Sequence, residues 1–227
     1  MNPTGQADVL LVRHGKTKYT QEGLDITEEG IEETRKTARE MKDYLEGFDE
    51  IIVVSSPTAR TQGTAKIFLE ELGMNANVKL LRSIRTVDIY DLDKFTEYNV
   101  SHSGEVYGQM WFQDPNLEEK TEIMDGRSNV NKRSFRFLYH IGNFIKRRAE
   151  KGKKVCVIAF THFEVGSNYV KALYPDVENF PQTNALGLGN SEAIVMSFSP
   201  DSDDIIIKAR EKEGIISTNE LSLNKEI

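Results

Sequence analysis

Short apolar runs alternate along this chain with longer stretches in which apolar residues recur at helical spacing. Val9–Val12 is apolar and ends at Arg13-His14-Gly15, which predicts a buried strand. Thr27 stands at an N-cap position, with Glu28 and Glu29 in the first turn behind it. Ile31, Thr34, Ala38, Met41 and Leu45 then mark one face of a helix. Ile51–Val54 is a second strand, bounded by Ser55-Ser56-Pro57. Ser56 as N-cap and Pro57 at the first helical position predict a helix that Gly73 ends. Val78–Leu81 is a third short strand. A long helix is predicted over Asn131–Ala149, with Phe135, Phe137, Ile141, Phe144 and Ile145 as its core stripe. Val155–Phe160 is the most apolar strand, and a helix from about Glu164 to Leu173 follows it. Ala193–Phe198 and Ile205–Ala209 predict a closing strand pair around the polar turn Pro200–Asp204.

Strands alternating with helices imply right-handed crossovers and an α/β fold: a three-layer domain with a mostly parallel twisted sheet flanked by helices. The 227 residues suit one such domain, spanning 1–227. Between Val87 and Asp125 the periodicity breaks down in a stretch rich in Asp, Glu, Tyr and Phe that holds the single tryptophan, Trp111. An irregular insertion of that length, about 87–125, predicts a lid or specificity loop. Tyr90, Phe95, Tyr98, Tyr107 and Trp111 either line a pocket or pack the insertion. From about Glu211 the chain is polar and reads as a C-terminal tail.

Composition narrows the partners. The chain carries 29 Lys and Arg against 36 Asp and Glu, a net charge of −7, where nucleic-acid and membrane-surface binders carry a basic face. A small anionic substrate stays open, because a few arginines in one cleft override a mildly acidic exterior. The single cysteine, Cys156, lies in an apolar strand and reads as a buried structural thiol. Met1–Asp8 has neither the basic nor the apolar region of a signal peptide, and no apolar stretch approaches a membrane span. A cytoplasmic location is therefore expected. The sequence leaves oligomeric state open, a homodimer included.

In open α/β sheets, ligands bind beyond the carboxyl ends of the strands. Arg13 and His14 follow the first strand. Ser55, Ser56 and, one turn on, Arg60 follow the second, and His162 follows the fourth. Guanidinium forks match phosphate oxygens bidentately, and helix N-termini add backbone donors, so this set suits a phosphate ester. Gly15-Lys16-Thr17 resembles the end of a Walker A loop, but that loop needs glycine where Leu10 stands. No carboxylate or cysteine cluster has the spacing to complete a zinc site with His14 and His162. His102, in a polar loop, and His140, in a helix, read as structural. Lys16 and Lys18 read as solvated.

Three ordered motifs then make the chain resemble the histidine phosphatase superfamily, the phosphoglycerate-mutase-like group. They are Arg13-His14-Gly15-Lys16-Thr17, Ser55-Ser56-Pro57-Thr58-Ala59-Arg60-Thr61 with Thr64-Ala65, and Thr161-His162. Gly126-Arg127-Ser128, with Arg133 and Phe137-Leu138, resembles the start of the family's penultimate helix, with arginine where glutamate is usual. Asn190 also has a counterpart. The resemblance implies that His14 is the nucleophile of a phosphohistidine mechanism. It implies that Arg13, Arg60 and His162 bind and stabilise the phosphoryl group, that Thr17 and Thr20 lie near the substrate, and that neither metal nor cofactor is needed. The expected activity is a phosphomonoesterase on a small phosphorylated metabolite.

Two departures stand out. Leu81-Arg82-Ser83-Ile84 aligns where the family reads Leu-Arg-Glu-Ile, so Ser83 occupies the position of the usual general acid. Some acid-phosphatase and phytase relatives place the proton donor one or two residues after the second histidine, which makes Glu164 the favoured substitute. Asp88 and Asp91 are rival donors. Thr20 stands where mutases of the family commonly carry asparagine. Both departures weigh against a phosphoglycerate mutase, and Ser83 also leaves room for a phospholigand binder that has lost its acid.

Overall fold

Sequence alternation becomes a central sheet whose innermost strands are covered on both faces. In the computed structural model, which describes residues 5–20, 23–101, 111–112, 114–170, 173–174, 187–199, 202 and 204–217, nine strands are present among the described residues. They are β1 (Gln6–Arg13), β2 (Thr17–Thr20), β3 (Gly23–Ile26), β4 (Glu50–Ser55), β5 (Val78–Leu80), β6 (Lys154–Thr161), β7 (Ala193–Phe198), β8 (Asp204–Ala209) and β9 (Lys212–Ser217). Ala7 through Val12 on β1 and Val155 through Thr161 on β6 are buried without alternation, as strands with helices on both faces require. The main sheet has the order β5-β4-β6-β1-β7-β8-β9. Pairing is parallel from β5 to β1 and antiparallel from β1 to β9. The chain is thus an α/β domain with a mixed sheet, parallel where it carries the chemistry.

Helices α1 (Glu28–Glu46), α2 (Ala59–Glu71), α3 (Leu92–Ser101), α4 (Arg127–Ala149) and α5 (Phe163–Val170) complete the regular structure among the described residues. Thr27 caps α1 as expected, its hydroxyl accepting from the Gly30 amide at 3.0 Å. One core layer packs Leu10, Val12, Ile158 and Phe160 against Ala38 of α1 and Phe68 of α2. The opposite layer packs Val9, Leu11, Val155 and Val157 against Phe137 and Ile145 of α4 and Val165 of α5. None of the helices among the described residues is long and apolar enough to cross a membrane.

Several boundaries differ from expectation. Helix α2 starts at Ala59 with Thr58 before it, because Ser56 is engaged elsewhere: its amide donates to the Phe160 carbonyl at 2.9 Å. Helix α4 begins at Arg127, four residues early, and α5 ends at Val170. Phe144 does not join the core; it is 40% exposed, with the Arg148 guanidinium 4.3 Å from its ring centroid. The polar stretch from 211 is not a tail through 217, since Lys212–Ser217 pairs with β8 as the edge strand and buries Ile216. The β2–β3 hairpin was not foreseen either.

The insertion has structure of its own. It holds α3, a 3-10 turn at Pro115–Leu117 and an antiparallel bridge between Ile89 and Met124. Trp111 is fully buried and packs in the core layer beneath α4 and α5. Arg127 explains its own departure from the family pattern: its Nη1 donates to the Trp111 and Asp114 carbonyls at 2.5 and 2.8 Å, tying the insertion to the start of α4. Tyr107 and His102 lie outside the described residues.

Candidate active site

The carboxyl ends of β1, β4 and β6 converge, and with them the residues singled out in the sequence. The register Arg13↔Thr161 sets His14 and His162 side by side, each one residue beyond its strand. The His14 amide donates to the Thr161 carbonyl at 2.9 Å, and the two imidazoles meet edge-on with centroids 5.3 Å apart. Gly15 lets the chain leave the site closely: a Cβ there would stand 2.9 Å from both the Gly30 carbonyl oxygen and the Thr34 hydroxyl. The Gly15 amide donates to Thr64 Oγ1 at 3.0 Å, and that hydroxyl donates to the Arg60 carbonyl at 2.8 Å. The nucleophile loop is thus pinned to the helix that carries Arg60.

His14 Nδ1 lies 2.9 Å from the Gly15 carbonyl oxygen. A carbonyl only accepts, so Nδ1 carries the proton and the lone pair sits on Nε2. Burial lowers the His14 pKa to about 3; the Gly15 carbonyl opposes that shift, and Arg60 and Arg13 add to it. His162 has the other tautomer. Its Nδ1 accepts from Arg60 Nε and Nη2, both at 3.2 Å, and its Nε2 lies 2.9 Å from Ser56 Oγ. Burial, then Arg60, His14, Arg13 and Arg133, hold the His162 pKa well below the ordinary histidine value. Both imidazoles are therefore neutral at physiological pH, beside a pair of guanidinium groups. Arg13 directs Nη1 to the Leu188 carbonyl at 2.6 Å, and its guanidinium lies 5.0 Å from the Phe163 ring centroid. Phe112 of the insertion packs on that ring at 6.1 Å, so the insertion reaches the edge of the site.

The candidate proton donors separate. Asp88 faces Arg85, with Nε donating to Oδ1 at 2.8 Å and Nη2 to Oδ2, and that hydrogen-bonded pair holds its pKa below the usual carboxylate range. Asp91 accepts the Lys94 amide at the start of α3 at 3.1 Å. Glu164 is in the first turn of α5, two residues past His162, and is 6% exposed. Ser83 lies in a 3-10 turn, Arg82–Ile84, that Thr161 Oγ1 holds by donating to the Ile84 carbonyl at 2.8 Å. Thr17 starts β2 half-buried, three residues beyond His14. Thr20 ends β2 opposite Gly23; its side chain lies outside the described residues. Lys16 pairs with Glu29 at 2.5 Å on the surface, and His140 sits on α4.

Ser56, read as a helix cap, instead holds His162. Arg133, known only through the family resemblance, contributes to the field at His162. Asp125 anchors it: Arg133 Nη1 donates to Oδ2 at 2.6 Å, and Tyr90 donates its hydroxyl to Oδ1 at 2.9 Å. Arg133 Nη2 in turn donates to the Arg85 and Thr86 carbonyls at 3.1 and 2.6 Å. The acid-base pattern of these residues is visible in the sequence, but their partners are 35 or more positions away. Among the described residues, no group of three or more His, Cys, Asp or Glu side chains is arranged to hold a metal ion.

Comparison with known proteins agrees with this geometry. The chain matches the Histidine phosphatase superfamily (branch 1) over residues 9–209 and belongs to that family, whose members are phosphatases or mutases. A stretch of 72 residues is 33% identical to a 2,3-bisphosphoglycerate-dependent phosphoglycerate mutase from Bradyrhizobium sp., covering 29% of this chain and 34% of that protein, about a third of its length. Solved structures share the fold. A phosphoglycerate mutase from Bacillus anthracis superposes with a TM-score of 0.61 at 14% identity, covering 99% of each chain. A mycobacterial glucosyl-3-phosphoglycerate phosphatase superposes with a TM-score of 0.56 at 18% identity, covering 85% of this chain and 90% of the other.

Proposed function

We propose that the protein is a phosphomonoesterase that works through a phosphohistidine on His14 and acts on a small phosphorylated metabolite. The observation that carries this reading is the His14–His162 pair, 5.3 Å between centroids, with the lone pair of His14 on Nε2 and Arg60 hydrogen-bonded to its partner. A nucleophile must be deprotonated, and burial meets that requirement well below neutral pH. His14 Nε2 attacks phosphorus; the P–N bond forms as the ester P–O bond breaks. Glu164 gives its proton to the departing alkoxide. Water then attacks phosphorus, the P–N bond breaks, and the water proton returns to Glu164 as phosphate leaves. Arg13 and Arg60 hold the equatorial oxygens throughout. A bound dianion offsets the cations that now disfavour charge on His162, so that imidazole can take a proton at Nδ1 and donate to the phosphoryl group.

Glu164 is preferred as donor because Asp88 is committed to Arg85 and Asp91 to the start of α3. The insertion, through Phe112 on Phe163, is proposed to shape the leaving-group side and so set substrate choice.

The test is hydrolysis of an aryl phosphate in the presence of a chelator, with acid-labile, base-stable label trapped on the protein. His14→Ala is expected to abolish labelling and to lower kcat by about 10³-fold or more. Activity that requires an added metal, or label on His14→Ala, would refute the mechanism. The 33% identical stretch favours a mutase as the second reading, and exchange between 2- and 3-phosphoglycerate at a rate above hydrolysis would establish it.

A further inference from the structure

We propose that Arg210, on the hairpin between β8 and β9, is a positioning residue that sets Arg13 for anion binding through Glu192 and the Gly187–Leu188 carbonyls. The proposal rests on the reading of Arg13 as an oxyanion ligand. Two contacts fix Arg13 from the loop before β7. Its amide donates to the Glu192 carbonyl at 3.1 Å, and its Nη1 donates to the Leu188 carbonyl at 2.6 Å. The direction of the guanidinium therefore depends on where the Leu188 carbonyl is held.

That loop is clamped mostly by one cation. Arg210 Nη2 donates to the Gly187 carbonyl at 2.7 Å and to Glu192 Oε2 at 2.5 Å, while Arg210 Nε donates to Glu192 Oε1. Glu192 Oε2 also accepts the Gly189 amide at 2.6 Å, and the Leu188 amide donates to Ser167 Oγ at 2.9 Å. The fork thus spans both sides of Leu188, and the geometry is bidentate. Gly187 leaves no slack: a Cβ there would lie 2.0 Å from the Phe163 ring, the same ring that faces Arg13.

Backbone conformation supports the assignment independently. Ala209 and Lys212 pair across a two-residue turn in which Arg210 and Glu211 have φ of 50° and 62°. Asn-Gly or Asp-Gly normally occupies such a turn, because side chains resist the left-handed region. Here two long side chains occupy it, and one of them reaches the active-site loop. Sparsely populated backbone of this kind persists where the surrounding contacts over-determine it.

The experiment measures inorganic phosphate affinity by calorimetry and KM and kcat for an aryl phosphate, in wild type, Arg13→Ala, Arg210→Gly, Arg210→Lys and the Arg13→Ala/Arg210→Gly double variant. Glycine suits the turn, so Arg210→Gly removes the fork without straining the hairpin. It is expected to weaken phosphate binding about tenfold and to raise KM more than it lowers kcat. Arg210→Lys should fall between it and wild type, because an ammonium cannot span Glu192 and the Gly187 carbonyl as a fork does. In the Arg13→Ala background the Arg210→Gly loss should shrink below about twofold, the mark of action through one residue. Unchanged phosphate affinity in Arg210→Gly, or an equal loss with and without Arg13, overturns the proposal. Should Arg210→Gly not fold, Arg210→Lys carries the same comparison against Arg13→Ala. Wild-type protein that binds no phosphate overturns the site reading itself, whereas wild-type binding with an unaltered variant removes the brace alone.

Discussion

His14 owes its readiness to where its ring is buried. A proton on that imidazole would leave a cation in a dry pocket beside Arg60 and Arg13, so the folded protein binds it only near pH 3. The unfolded chain binds it near 6.5, and His162 is shifted in the same direction. Between those values the unfolded state holds more protons, so stability is complete above about pH 6.5 and falls as the solution is acidified. Each histidine contributes a slope of up to about 1.4 kcal/mol per pH unit. Thermal melts from pH 7 to pH 4 should therefore steepen with acid in wild type and flatten in His14→Asn; parallel curves would show that His14 is not the source. A second expectation concerns Glu164. Glu164→Gln should slow hydrolysis of an alkyl phosphate about 10²- to 10⁴-fold while sparing an aryl phosphate, whose leaving group needs little protonation. Equal losses on both esters would remove Glu164 as the donor. The charged and nucleophilic members of the site could be read from residue type at strand ends. Ser56, the Leu188 carbonyl and Arg210 could not, since their roles arise from neighbours distant in sequence.

Helix α4 does more than cover the sheet. Its first two turns carry Arg127 and Arg133, which reach back to the insertion and to the segment after the 3-10 turn. Asp125 and Arg133 form a pair with side chains only 5% and 13% exposed. Removing one member leaves the other charge buried without it, at a cost of about 3–5 kcal/mol. Asp125→Ala should lower stability by that amount and release Tyr90, loosening the chain between Arg85 and Asp91. Limited proteolysis within 85–125 should accelerate in step, and a variant as stable and protease-resistant as wild type would contradict the role. The same elements indicate which features sequence can reveal. Strands β1, β4 and β6 are continuous apolar runs and were readable for that reason. The start of α4 was not, because Gly126 gives no side-chain cap to mark it. The β2–β3 hairpin was hidden by its polar sequence, Thr-Lys-Tyr-Thr, which lacks the apolar alternation of a half-buried strand.

The fold divides its labour across the sheet: parallel strands aim the chemistry, and the antiparallel extension β7–β9 steadies it. A polar edge strand such as β9 covers apolar backbone without offering an apolar edge of its own. Its sequence, Lys-Glu-Gly-Ile-Ile-Ser, contributes Ile216 to the core while Ile215 faces outward at 64% exposure. That mixture is why the stretch reads as a tail: only pairing with β8, whose Ile205 and Ile207 are fully buried, turns it into a strand. Ending the chain at Ala209 should then have two separable effects. Burial of Ile216 alone is worth about 1.5–3 kcal/mol, and the lost ladder adds to it, so the melting temperature should fall by at least about 4 °C. The exposed β8 edge, with three successive isoleucines at 205–207, should also promote association, visible as larger species in size-exclusion chromatography at raised concentration. A monodisperse truncation that melts with the full chain would show that β9 is dispensable and that the sheet is effectively complete at β8.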